Sequence, residues 1–283
     1  MSRGCVLITG ASTGIGEASA LHLDRLGFQV FAGVRKAADG EALRAKGSQR
    51  LTPVILDVTD PGQIAAARAL VERSIGEAPL VGLVNNAGIA LAGPLEFLPL
   101  DDLRLQLEVN LVGQLAVTQA FLPLIRKARG RIVNVGSISG RMANPLLGPY
   151  AMSKFALEAM TASLRQEVRK WGIHVCLIGP GAVATPIWRK SMAAAEERLE
   201  RMDPQVTALY GDLIEAMRRY QARRGDGGIP PLEVARAIEH ALTAAKPRTR
   251  YAVGPDARLV ELLRLLPDET RERMVARRLA NRG

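Results

Sequence analysis

The sequence predicts a doubly wound α/β fold, a single Rossmann-like domain on a parallel sheet. Three observations carry this. Short β-branched runs alternate with stretches of helical period. The runs are near-continuously apolar, as strands covered by helices on both faces must be. A glycine cluster stands where the first run gives way to the first helix.

In chain order, the runs are CVLIT, VFAGV, LTPVILD, LVGLVNN, RIVNVGS and IHVCLIGP, separated by helical stretches such as EASALHLDRLG and QIAAARALVERSIG. After Pro186 the pattern changes to a charged helical region, Trp188 to Arg224, stopped by Gly225-Asp226-Gly227-Gly228 and Pro230-Pro231. We read residues 186–229 as a helical lid inserted within one domain spanning 1–283. A helix is expected from Pro231 and a short strand over Arg250 to Val253. Residues 256–283 then form a C-terminal helical extension, with a stripe of Leu259, Leu262, Leu263 and Leu266 ahead of a basic tail. No internal repeat is visible.

An apolar fraction of 48% over 283 residues is enough to build a core without disulfide or metal. Cys5 and Cys176 each sit inside an apolar run and read as buried thiols, which fits a reducing, cytoplasmic setting. No uninterrupted apolar stretch approaches the ~18 residues of a membrane span, and the first strand begins too early for a signal peptide, so no integral span is expected. The net charge of +10 comes from 31 Arg and 7 Lys dispersed among acidic residues, which argues for solvated surface and against a nucleic-acid partner.

At the first strand-to-helix junction stand Gly10, Ser12, Thr13, Gly14, Ile15 and Gly16, with glycines spaced G-x-x-x-G-x-G. Side chains there would block a pyrophosphate from the helix N-terminus and its free N–H groups, so the spacing points to a dinucleotide. An NAD-selecting site carries an acid at the end of the second strand. Here Val34 is followed by Arg35 and Lys36, cations suited to a 2′-phosphate, so NADP(H) is expected. Asp57-Val58, Asn85-Asn86-Ala87-Gly88 and Pro180-Gly181 also fall at carboxyl ends of expected strands and line the same crevice.

The fifth strand ends at Ser137, and a helix opening with Tyr150-Ala151-Met152-Ser153-Lys154 follows. Tyr150 and Lys154, four apart, share one helix face. A phenol with an ordinary pKa near ~10 is a poor proton carrier at neutral pH, and a cation within ~4 to 6 Å can lower it by ~1 to 3 units. The spacing therefore predicts that Lys154 tunes Tyr150 downward while Ser137 holds the substrate oxygen.

Through TGASTGIG, Asp57, NNAG, the Asn110 of VNLVG, Ser137, YAMSK and PG, residues 3 to 187 resemble the short-chain dehydrogenase/reductase family, especially its steroid- and retinoid-handling members. The resemblance implies an alcohol/ketone or aldehyde oxidoreductase with a tetrad of Asn110, Ser137, Tyr150 and Lys154. Tyr150 would be the general acid/base, Lys154 would also bind the nicotinamide ribose, and Asn110 would hold a helix kink and a relay water. It further implies cofactor contacts from Asp57, Val58, Asn86, Ala87, Gly88, Pro180, Gly181, Val183 and Thr185. Residue 13 is Thr where NADP-preferring relatives often carry a base, which leaves Arg35 as the main phosphate determinant. Family members usually form homodimers or homotetramers.

The substrate is expected to be a bulky apolar alcohol or ketone. Its lining would come from Met142, Leu146, Leu147 and Pro149 of the loop before Tyr150, and from Ile187 and Trp188 of the insertion. A regulatory protein that senses NADP(H) without turnover is the main rival, and nothing in it would require Asn110, Ser137, Tyr150 and Lys154 together. An epimerase or dehydratase, or a peripheral membrane protein resting on the leucine stripe, fits the sequence less well. No metal site is expected.

Overall fold

Each apolar run of the sequence forms a strand in the computed structural model, which describes residues 3–199, 204–225 and 228–280. The strands are β1 (Cys5–Ile8), β2 (Gln29–Val34), β3 (Leu51–Ile55), β4 (Leu80–Asn85), β5 (Arg131–Val135), β6 (His174–Pro180) and β7 (Arg250–Val253). They pair in parallel in the order β3-β2-β1-β4-β5-β6-β7. The chain leaves β1 toward β2 on one side and returns to β4 on the other. That reversal opens a crevice at the carboxyl edge between β1 and β4, where ligands of such sheets bind.

Between the strands run α1 (Gly14–Arg25), α2 (Ala37–Arg44), α3 (Pro61–Ile75), α4 (Leu100–Leu107), α5 (Gly113–Ala128) and α6 (Gly148–Glu167). Past β6 come α7 (Pro186–Leu199), α8 (Gln205–Gly225) and α9 (Pro231–Thr243), then α10 (Pro255–Leu263) and α11 (Asp268–Ala280) after β7. Local chemistry starts α3: the Asp60 side chain accepts from the Gln63 N–H at 3.0 Å and Pro61 takes the first helical position, where no N–H is needed. Two apolar cores result, one per face of the sheet. Leu23 of α1 and Ile238 of α9 meet Val6 and Val133 on one face; Val71, Phe121 and Leu164 of α3, α5 and α6 meet Leu7 and Ile132 on the other. Each fully buried side chain of this size contributes about 1.5 to 3 kcal/mol.

A polar seam crosses the second core. Asn85 and Asn134 are partners across β4 and β5. The Asn85 amide donates to Asn134 Oδ1 at 2.9 Å and to Thr118 Oγ1 of α5 at 2.8 Å; the Asn134 amide donates to Thr161 Oγ1 of α6 at 2.8 Å. Both threonine hydroxyls donate onward to helix carbonyls. The seam thereby fixes α5 and α6 to the two central strands.

The insertion is two helices, α7 and α8. In the C-terminal extension α10 packs through Ala257 and Val260, Leu259 and Leu263 line a small cavity, and Leu262 and Leu266 are exposed. Finally, residues Leu100–Ala128 form a continuous helical stretch of 29 residues, long and apolar enough to cross a membrane. Its buried face carries Gln106, Asn110, Gln114 and Thr118, hydrogen-bonded to the sheet and its loops, so in this fold it is a core helix.

Candidate active site

A cleft of about 450 Å³ opens at the carboxyl edge of the sheet, with the glycine loop at one end and Ser137, Tyr150 and Lys154 at the other. Gly10 and Gly14 adopt φ of +64° and +62°, which favours glycine. A Cβ on Gly10 would lie 2.7 Å from Ala87 Cα, and one on Gly16 would lie 2.2 Å from the Gly10 carbonyl. Thr13 caps α1 without a side-chain hydrogen bond, so the first N–H groups of the helix stay open for an anion. This bare helix start, cradled by side-chain-free backbone, fits a pyrophosphate.

Ser12, Thr13, Ile15, Val34, Arg35, Asp57, Val58, Asn86, Ala87 and Gly88 all line the cleft, as do Pro180, Gly181, Val183 and Thr185. One expected residue is absent from this lining. Lys36 does not line it; it is the exposed residue preceding α2, pointing the charge question to Arg35 alone. Asn86 donates both its amide hydrogens to the Thr9 and Gly10 carbonyls at 2.9 Å, so it buttresses the glycine turn. Asp57 accepts from Thr59 N and Oγ1 at 3.0 and 2.8 Å, which holds its carboxylate at the rim.

At the reacting end, Ser137 terminates the β5 segment and Tyr150 and Lys154 lie on the first turns of α6, all three buried. Burial raises the Tyr150 phenol above its ordinary pKa, and its hydrogen bond with Ser137 opposes that rise. Burial also lowers Lys154, to about 8. Its ammonium donates to the Val135 carbonyl at 2.9 Å and stands 5.7 Å from the Tyr150 ring centroid. Desolvation is thus the largest influence on the Tyr150 phenol, and the Ser137 hydrogen bond is the one that opposes it. Just ahead of α6, Leu146 holds a left-handed φ of +61°, a strained conformation for a non-glycine residue, and its carbonyl accepts from Gly93 N–H at 2.8 Å.

Asn110 lies in a π-helical turn, Glu108–Val112, joining α4 to α5, which is the helix irregularity expected of it. It does not line the cleft. Its carboxamide accepts from Ile89 N–H at 2.8 Å and donates to the Ile89 carbonyl at 2.9 Å and to Ser153 Oγ at 3.0 Å. Ser153 in turn donates to the Tyr150 carbonyl at 2.7 Å, so Asn110 reaches the start of α6 through one hydroxyl. Four residues on either side, Gln106 and Gln114 make parallel contacts. Gln106 accepts from Leu91 N–H at 2.7 Å and donates to the Ile89 carbonyl at 2.9 Å, while Gln114 donates to the Ala87 carbonyl at 2.8 Å. Three amides on one helix face thus hold residues 87–91. The glutamines went unrecognised in the sequence, although their spacing around Asn110 was a usable signal.

The substrate side departs most from expectation. Leu147 is buried beneath the loop and does not line the cleft, and Met142 lines instead a small apolar cavity of about 90 Å³ with Met217, Leu259 and Met274. The Trp188 side chain lies outside the described residues. Ile89, Leu91, Leu105, Val109 and Ile187 give the cleft apolar lining, and Ser191 is a polar residue among them. Only Ile187 was foreseen, because the others are brought in by the three-amide clamp and by α4. Among the described residues no cluster suits a metal ion.

The family profile for short chain dehydrogenase matches residues 4–196. Human Retinol dehydrogenase 5 is 41% identical over 269 residues, covering 92% of this chain and 84% of that protein. A short-chain dehydrogenase from Streptomyces avermitilis superposes with a TM-score of 0.78 at 28% identity, covering 100% of this chain and 99% of that one. One from Burkholderia cenocepacia, solved with NADP, gives 0.75 at 25% identity and 97% and 98% coverage. One from Burkholderia phymatum, solved with NAD, gives 0.77 at 25% identity and 92% coverage of both.

Proposed function

Since this chain belongs to the short-chain dehydrogenase/reductase family, and so is an oxidoreductase acting on CH–OH groups with NAD(P), we propose that it interconverts a bulky apolar alcohol and its ketone or aldehyde using NADP(H). The observation that carries this reading is the single cleft joining an open helix start at one end to Ser137, Tyr150 and Lys154 at the other. The dinucleotide, when bound, supplies or accepts a hydride. Gly10, Gly14 and Gly16 leave room for its pyrophosphate, and Arg35 favours a 2′-phosphate through charge-assisted hydrogen bonds.

Tyr150 moves the proton at the substrate oxygen. Its neutral phenol, kept protonated by burial, is ready to donate in the reducing direction. Ser137 holds that oxygen, and Lys154 supplies a positive charge at the floor of the cleft. Asn110 positions Tyr150 through Ser153.

The wall of Ile89, Leu91, Leu105, Val109 and Ile187 supports an apolar, steroid-, retinoid- or lipid-like substrate. We read α7 and α8 as its lid: Tyr210 of α8 donates to Glu96 at 2.7 Å and meets Phe97 edge-on at 6.0 Å, so the lid rests on the loop after β4. The buried free thiols of Cys5 and Cys176 support a reducing, cytoplasmic setting. Exposed Val112, Leu115, Met152 and Phe155 around α5 and α6 support self-association into a homodimer or homotetramer.

The deciding experiment follows nicotinamide absorbance with NADPH and NADH across a panel of apolar ketones, aldehydes and alcohols. Turnover of small polar substrates alone would refute the substrate class, and a preference for NADH would refute the cofactor choice.

A further inference from the structure

The turn from Pro180 to Thr185 closes the cleft beside the reacting residues, with Pro180, Gly181, Val183 and Thr185 in its lining. Thr185 also abuts the glycine loop, its Cγ2 only 3.0 Å from where a Cβ on Gly14 would stand. This turn is seated on the far end of the chain. Gly181 N–H donates to the Val253 carbonyl at 3.0 Å, and Ala182 N–H donates to Asp256 Oδ2 at 2.8 Å. Asp256 Oδ1 meanwhile accepts from Ala257 N–H at 3.0 Å at the start of α10. The carboxylate lies so close beneath the turn that a Cβ on Gly181 would fall 1.7 Å from Oδ1, a seat that only glycine leaves open. On its other side α10 is fastened by Arg250 of β7, which bridges Glu261 of α10 to Glu158 of α6, the helix that carries Tyr150 and Lys154.

We propose that Asp256 is a positioning residue for the dinucleotide, setting the height of the 181–185 turn and making the C-terminal extension part of the cofactor site. The inference rests on the reading of the cleft as a dinucleotide site. A carboxylate accepting a backbone N–H is a charge-assisted bond, stronger and shorter than its neutral counterpart, and its loss frees the turn from α10. Because the turn serves features that NADPH and NADH share, the effect is blind to the 2′-phosphate, unlike that of Arg35.

The test titrates NADPH and NADH fluorimetrically, without substrate, into wild type, Asp256→Ala, Gly181→Ala and the double variant. Asp256→Ala is expected to weaken both cofactors alike by about tenfold, the scale of one hydrogen bond to a charged group. Its kcat at saturating cofactor should stay within about threefold of wild type, because the proton carrier is untouched. Gly181→Ala should weaken binding further, and the double variant should bind better than Gly181→Ala alone, since the colliding carboxylate is gone. Asp256→Asn, which keeps the shape and a neutral acceptor, should lose less than Asp256→Ala and serves if the alanine variant does not fold. Binding by Asp256→Ala, or by Asp256→Asn in its place, that matches wild type would overturn the proposal, as would a double variant no better than Gly181→Ala. A wild-type protein that binds neither cofactor would overturn the reading of the cleft itself, and the proposal with it.

Discussion

The Lys154 ammonium donates to the Val135 carbonyl at 2.9 Å and stands 5.7 Å from the Tyr150 ring centroid, so one buried cation ties the end of β5 to the helix that carries the phenol. Both side chains are buried, and burial moves them in opposite directions: Tyr150 upward and Lys154 down to about 8. Each shift favours the neutral form.

Tyr150→Phe should lower kcat by about 10²- to 10⁴-fold, the range expected when a positioned proton carrier is removed. Cofactor affinity should stay within about threefold, because the ring that packs in the cleft is kept. Retained turnover in steady-state assays would remove Tyr150 from the mechanism.

For Lys154 the sign of the pH effect follows from its lowered pKa, about 8 against an ordinary 10.5. Below about pH 8 folded and unfolded chains both hold the proton, and the fold bears the full cost of a buried charge. Between about pH 8 and 10.5 the folded chain releases the proton first, so through this group stability rises with pH. Raised Tyr150 acts oppositely, lowering stability only above about pH 10, where the unfolded chain ionises first. In urea unfolding of the cofactor-free protein, the stability of Lys154→Met relative to wild type should fall by about 2 kcal/mol between about pH 7 and about pH 9.5. Any loss of the Val135 hydrogen bond is a constant offset, and a difference that does not change with pH would contradict the assignment.

Arg35 is the cation that the structure places in the cleft wall beside Val34, with Lys36 outside it. Arg35→Ala should weaken NADPH by about 1.5 to 3 kcal/mol, the scale of hydrogen bonds to a charged group, and leave NADH nearly unchanged. Equal losses in calorimetric titrations of the two cofactors would detach Arg35 from the 2′-phosphate.

Gln106→Leu would strand the buried Leu91 N–H, while the Ile89 carbonyl keeps its bond from the Asn110 amide. Destabilisation of about 1 to 3 kcal/mol is expected, the cost of one buried polar group left unmatched. Because Ile89 and Leu91 form the apolar wall, KM for the substrate should rise while cofactor affinity holds. A loss confined to cofactor binding would show that the clamp serves the other end of the cleft.

Tyr210→Phe removes the hydrogen bond from α8 to Glu96 but keeps the edge-on contact with Phe97. Amide exchange across residues 205–219 should quicken by about threefold, the modest effect expected of a solvent-exposed contact. Exchange indistinguishable from wild type would leave α8 held by other contacts and the latch without a role.

How much of this was legible depended on how far apart the interacting residues lie in the chain. All seven strands declared themselves, because a parallel sheet buried on both faces demands continuous apolar runs. Gly10, Gly14, Gly16, Ser137, Tyr150 and Lys154 were visible because each follows a strand end or a helical spacing. By contrast, the ion pair between Arg250 of β7 and Glu261 that fastens α10, and the exposure of Leu262 and Leu266 beyond it, join elements in a way that periodicity does not record. Leu147 looked like a pocket residue only because its loop precedes Tyr150; it is buried, next to a Leu146 whose left-handed φ no sequence pattern announces. Nor could Asp256 be connected to Gly181, since nothing in either neighbourhood hints at the other.

The side-by-side carboxamides of Asn85 and Asn134 limit how this protein could be recombined. Successive residues of a strand face opposite layers, so a one-residue slip in either β4 or β5 would send one amide toward α9 and strand its partner among the side chains of α5 and α6. A chimera joining the first half of this chain to the second half of a relative can therefore vary helix sequence and loop length freely around the splice. It must, however, preserve the parity of the two strands, and a graft that shifts it by one should fail to fold even if every active-site residue is retained.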